Sequence, residues 1–190
     1  MKLFIAYARE RLTPGRLLPA GLLVVVATLV GRGWSSWGAA SVLEAAAAFG
    51  LVVAFRIWDD VMDRERDRSR HPDRVVVRAS STTALTVTAA ALAIGAGVVL
   101  GVARGPASVG LLAAYTALLA ASYAARGPRS TVGEWILLLK YGVFTLALIG
   151  LPAALTPRGL LSAAAAFAAA CVYEWWHDAE SPIFSFGGSR

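Results

Sequence analysis

Apolar runs of roughly membrane-spanning length alternate along this chain with short polar stretches. The runs cover residues 17–31, 37–57, 80–103, 107–125, 134–156 and 159–176. A helix that crosses the hydrocarbon core needs about 20 apolar residues, and the first and last runs reach that length only by borrowing flanking positions. The pattern predicts six transmembrane helices in one all-α membrane domain spanning 1–190, with helices approaching closely where glycines such as Gly21, Gly50 and Gly150 fall inside the runs. Residues 1–16 read as a short amphipathic lead, with Leu3, Phe4 and Tyr7 placed to lie on lipid headgroups beside Arg11 and Arg16, and Pro14-Gly15 breaks it from the first span. The polar stretch 59–79 separates the second and third spans, and Pro72 is placed to end a helical extension that starts at Trp58.

Composition agrees with this pattern. Of 190 residues 57% are hydrophobic and 16% charged, and the mean hydropathy is +0.62, too apolar for a soluble domain of this size. The net charge of +6 would suit nucleic acid, but the basic residues are distributed as topology markers instead. With the N-terminus inside, 14 Lys and Arg fall on the cytoplasmic side, including Lys2, Arg9, Arg126, Arg129 and Arg190. Only Arg32, Arg104 and Arg158 fall outside, and Lys140 lies within a span. This asymmetry predicts both termini in the cytoplasm, in a cell inner membrane, with no nucleic-acid partner. The N-terminal stretch does not resemble a cleavable signal, since Arg9, Arg11 and Arg16 precede the apolar run without a convincing cleavage site after it. Cys171 is the only cysteine, so the chain has neither an internal disulfide nor a thiolate metal site to offer.

The chemistry-bearing residues sit where two spans return to the inside face. Residues 58–67 read Trp-Asp-Asp-Val-Met-Asp-Arg-Glu-Arg-Asp. On a helix Asp59, Asp63 and Asp67 recur every fourth position, and Asp60, Asp63 and Asp67 share a face at i, i+3 and i+7. Like charges at this spacing repel by a few tenths of a kcal/mol each, and a divalent metal carrying phosphate is a ligand that offsets such repulsion. Glu174 and Asp178, an i, i+4 pair, follow the last span within Tyr173-Glu174-Trp175-Trp176-His177-Asp178-Ala179-Glu180. The arginine distribution puts this second cluster on the same face as the first.

Asp59-Asp60-x-x-Asp63-x-x-x-Asp67 and Glu174-x-x-x-Asp178 resemble the two acidic motifs of the UbiA superfamily of intramembrane prenyltransferases, N-D-x-x-D-x-x-x-D and D-x-x-x-D. The motifs follow the second and sixth spans in that family, as they do here, and Arg11-Leu12-Thr13-Pro14 is similar to the family's Arg-rich approach to its first helix. Asp59 stands where the family pattern carries Asn, and Glu174 where it carries Asp. The resemblance covers the first two thirds of a fold that usually has about nine helices. It implies a UbiA-like bundle, shortened by its last helices. Asp59, Asp60, Asp63, Asp67, Glu174 and Asp178 would hold Mg²⁺, with Asp60, Asp63, Asp67 and Asp178 as catalytic carboxylates. An isoprenyl diphosphate would be the donor, with Arg11, Arg56, Arg74 and Lys140 on its phosphates. Trp58, Tyr173, Trp175 and Trp176 are candidates to shelter a carbocation. The acceptor is open. A shortened bundle would expose one flank of its chamber, which implies a homodimer or another membrane subunit.

Other assignments fit the same residues. A non-catalytic polyprenyl-lipid-binding subunit would explain the shortened bundle, and a cyclase would use the same ionisation without an acceptor. The first acidic run also pairs with itself on paper, as Arg56–Asp60, Asp60–Arg64, Glu65–Arg68 and Asp67–Arg70, which describes a solvated helix end. The tryptophans suit an interfacial belt equally well. Lys140, inside the fifth span, either snorkels or reaches a cytoplasmic cavity. Glu44 lies about 22 Å of helix away from Asp59, too far for the same metal, and is expected to be neutral or locally paired. His71 and His177 are expected at the surface, outside the metal site.

Overall fold

The computed structural model describes residues 2–34, 38–125, 130–178 and 181–184. Trp37, Arg126, Arg129, Glu180 and Arg190, together with the side chain of Arg16, lie outside the described residues, and so do the expectations placed on them. The chain is helical, as α1 Lys2–Arg11, α2 Pro14–Arg32, α3 Ala39–Met62, α4 Arg64–Arg70, α5 Val75–Arg78, α6 Thr83–Arg104, α7 Pro106–Ala124, α8 Thr131–Ile149 and α9 Pro157–His177. Among the described residues five helices, α3 and α6 to α9, are long and apolar enough to cross a membrane. The first expected span is the shorter apolar segment Leu17–Arg32 within α2.

Local chemistry sets the helix ends. Pro14, Pro106 and Pro157 each stand in a first turn, where a missing N–H costs nothing. The hydroxyls of Ser130 and Thr156 accept the Gly133 and Gly159 N–H groups at 3.1 and 3.2 Å, capping α8 and α9. Gly105 turns α6 into α7 with φ at +86°, a conformation that L side chains rarely adopt.

The six long helices pack in chain order, α2 on α3, α3 on α6, α6 on α7, α7 on α8 and α8 on α9, and α9 returns to α2 to close the ring. α8 also touches α2, α3 and α6, so it runs through the middle of the bundle. The main core gathers Val24, Leu51, Phe55, Leu119, Phe144 and Leu148, with the rings of Phe55 and Phe144 edge to face at 5.0 Å. Val87, Ile94, Val98 and Val102 of α6 point outward, with Val102 87% exposed. A row of exposed aliphatics at helical spacing suits hydrocarbon rather than water.

At the end of the bundle where α2 meets α3, Glu44 is buried and held between Arg32, at 2.5 Å, and Arg104. The expectation of local pairing for Glu44 holds, with partners on α2 and α6. At the opposite end α1 folds back over the bundle. Tyr7 is completely buried against Ile57, Val76 and Leu85, with Leu3 and Phe4 packed beside it. This corrects the placement of these side chains on headgroups, because α1 finds its apolar partners in the protein.

Candidate functional site

Asp59 and Asp60 are neighbours on α3, and an offset of about 100° per residue sends them to different sides. Asp60 turns toward α1. Its two carboxylate oxygens accept Arg11 Nε at 3.0 Å and Nη2 at 2.8 Å, and Oδ2 also accepts the Tyr7 hydroxyl at 2.8 Å. Arg56, one turn earlier on the same helix, adds a contact at 3.5 Å. Asp59 turns toward α7 and α8, where it accepts the Tyr123 hydroxyl at 2.6 Å and the Lys140 ammonium. Burial, with the charge and hydrogen bond of Asp60 adding to it, pushes the Tyr7 phenol well above its ordinary range, so it stays a donor.

α3 formally ends at Met62, and the run 58–70 is therefore two helices joined at Asp63 rather than one extension. The hydrogen-bond ladder nevertheless crosses the joint, since Asp63 N–H donates to Asp59 O and Asp67 N–H to Asp63 O, both at 2.9 Å. The face shared by the acidic residues thus survives the break. Asp63 lies 3.7 Å from Arg66, and the buried Asp67 is paired with Arg74. The segment after α4 is tied down by Glu10, which accepts the Val75 N–H at 2.9 Å, and by Arg64, which donates to Ala79 O. Of the pairings proposed for a self-paired helix end, Arg56–Asp60 is present, and so is an exposed Glu65–Arg68 pair at 2.9 Å. Arg64 turns to a carbonyl and Asp67 takes Arg74 across the loop.

The two acidic helix ends do meet. A cavity of about 210 Å³ is bounded by Asp59, Asp60, Asp63 and Asp67 on one side and by Glu174 and Asp178 on the other, with Lys140 and Glu134 from α8 between them. A larger cavity of about 1040 Å³ shares Arg11, Arg56, Arg70, Arg74, Lys140, Tyr141, Glu174 and Asp178 with it. That cavity continues along Leu17, Leu23, Val52, Leu138 and Ala170, giving a charged mouth and an apolar wall. Lys140 reaches the cavity and does not merely snorkel.

Among the described residues no three His, Cys, Asp or Glu side chains are grouped as ligands of one metal ion. Cations occupy Asp59, Asp60 and Asp67 instead. Glu174 and Asp178 stand at the end of α9, with Asp178 N–H on Glu174 O at 2.8 Å.

The aromatic expectations divide. Tyr173 lines the larger cavity and stacks on His177, ring centres 3.9 Å apart. Trp175 and Trp176 are 55% and 78% exposed and line neither cavity, and Trp58 packs between Phe55 and Tyr123. These three tryptophans form no cage. His71 and His177 are exposed but line the larger cavity. Tyr123, Glu134 and Tyr141 were not anticipated, and only the positions of Tyr123 and Glu134 near the inside ends of α7 and α8 could have suggested them.

No protein-family model matches the chain, no curated protein matches it, and no solved structure matches it.

Proposed function

We propose that the chain is a UbiA-like membrane prenyltransferase, which binds an isoprenyl diphosphate in the cavity between α1, α3, α8 and α9 and transfers its prenyl group to an acceptor. One observation carries the reading. The cations Arg11, Arg56, Arg74 and Lys140, with Glu174 and Asp178, line a space that runs on into an apolar wall, and the first acidic motif borders the smaller cavity that shares those residues. A charged mouth with an apolar extension suits an anionic head on a hydrocarbon tail. The positive-inside distribution would open this space to the cytoplasm, with the protein in a cell inner membrane.

The guanidinium groups and Lys140 would take diphosphate oxygens through charge-assisted hydrogen bonds. Leu17, Leu23, Val52 and Leu138 would hold the tail and keep water from the allylic carbon. The C–O bond then breaks with its electron pair on the leaving diphosphate, the allylic carbon joins the acceptor, and the acceptor loses a proton. Mg²⁺ is the expected cofactor. Asp63, Glu174 and Asp178, hard oxygen donors brought from two helix ends to one cavity, would hold it. Bound there, the metal would neutralise charge on the departing diphosphate.

A second reading is favoured by those same ion pairs. With Asp59, Asp60 and Asp67 each neutralised by a cation, the chain would hold a polyprenyl lipid without reacting it, as a homodimer or with another membrane subunit. Incubating the purified protein with Mg²⁺, mixed isoprenyl diphosphates and native-lipid extract, followed by mass spectrometry, separates the two. A prenylated acceptor is the expected product. Unchanged, bound prenyl lipid would replace the transferase with the binding subunit.

A further inference from the structure

The larger cavity is not lined by the first acidic motif. Asp59, Asp60, Asp63 and Asp67 all border only the smaller space. Toward the apolar wall the protein presents Arg11, Arg56, Arg70, Arg74 and Lys140, and among the described residues two carboxylates, Glu174 and Asp178, face the same volume. The acids of the motif lie behind this layer and grip it: Asp60 holds Arg11 and Arg56, Asp59 holds Lys140, and Asp67 holds Arg74. Each grip comes from a different direction, since Arg11 belongs to α1, Lys140 to α8 and Arg74 to the segment after α4.

We infer that the diphosphate head of a long-chain isoprenyl ester binds directly to this cation layer without a metal ion, and that Asp59, Asp60 and Asp67 are positioning residues for the cations. The inference rests on the proposed function and separates two tasks within it. Head-group binding falls to Arg11, Arg56, Arg74 and Lys140, and any metal is needed only when the C–O bond breaks. A phosphate ester needs donors arranged around it, and a guanidinium already held by a carboxylate keeps its remaining N–H groups in a fixed direction. The N–H groups that these cations direct into the cavity supply the phosphate contacts that a bridging cation would otherwise provide.

The test uses the full chain in detergent or lipid nanodiscs and measures saturable binding of farnesyl diphosphate in EDTA and in Mg²⁺. Affinities in the two conditions should agree within about threefold, because the contacts that set them are the protein's own. Arg11→Gln and Arg74→Gln should each weaken binding by about tenfold or more in both conditions, as expected for a lost charge-assisted contact. Inorganic pyrophosphate should compete much more weakly than the farnesyl ester, and phosphatidic acid hardly at all. Asp60→Asn, checked for folding by monodisperse elution, should weaken binding in EDTA, which a metal ligand would not do. Binding that disappears in EDTA and returns with Mg²⁺ would overturn the inference and leave the proposed function standing. No saturable binding in either condition would sink both. Equal competition by pyrophosphate or by phosphatidic acid would overturn the isoprenyl diphosphate assignment.

Discussion

Asp59 shows how much a single position changes once its partner is known. The UbiA motif that this run resembles carries Asn there, which alone would make Asp59→Asn a mild substitution. The structure gives Asp59 to Lys140 and Tyr123, with the Lys140 side chain only 9% exposed. Removing one member of a buried ion pair strands the other, at about 3 kcal/mol. Asp59→Asn should therefore lower the melting temperature in detergent. Adding Lys140→Met should restore most of the loss, since it removes the ammonium that the first substitution leaves buried and unpaired. If the single variant melts like the parent, Lys140 is not held by this carboxylate. The positions of the acids were legible in the sequence, but their partners were not. Arg11 and Asp60 lie 49 residues apart, and Lys140 and Asp59 lie 81 apart. Only packing brings such residues together.

At the scale of elements, α1 behaves as a docked part of the bundle. Its amphipathic pattern was visible, but a stripe of Leu3, Phe4 and Tyr7 has the same spacing whether it meets lipid or protein. Burial of Tyr7 against Ile57, Val76 and Leu85 decides for protein. Tyr7→Ala removes that anchor, at roughly 3–5 kcal/mol for an aromatic truncated in a packed core. Hydrogen exchange should then speed up along α1 while α8 keeps its protection, and unchanged exchange in α1 would mean that other contacts hold it. Tyr7→Phe, which loses only the hydroxyl on Asp60, should cost about 1 kcal/mol. The acidic ends of α3 and α9 were legible because charge and helical spacing both survive folding. The tryptophan cage failed for a different reason, since the rotation of α9 about its axis decides which of Tyr173, Trp175 and Trp176 faces inward, and spacing within one turn cannot fix that rotation.

For the whole molecule, the hydropathy pattern located all six long helices, and the structure adds their order around a closed ring. It also puts Arg11, Asp60, Lys140 and Asp178 at one end of the bundle and Arg32, Glu44 and Arg104 at the other. Which end faces the cytoplasm is testable in intact cells. Of the exposed positions Glu65 and Leu155, cysteine at 155 should react with a membrane-impermeant maleimide and cysteine at 65 should not. The reverse labelling would invert the topology, and with it the side from which the cavity is reached.

The grip of Arg32 and Arg104 on Glu44 bears on how the chain enters a bilayer during synthesis. A lone carboxylate near the start of α3 opposes partitioning into hydrocarbon, and an arginine at the end of α2 does the same. Arg32 is made only 12 residues before Glu44, so the two can neutralise each other as a helical hairpin before any later segment emerges. Arg104, 60 residues further on, arrives with α6 and finds a carboxylate already buried. α2, the shortest apolar segment of the six, can thus be committed to the membrane by the helix that follows it.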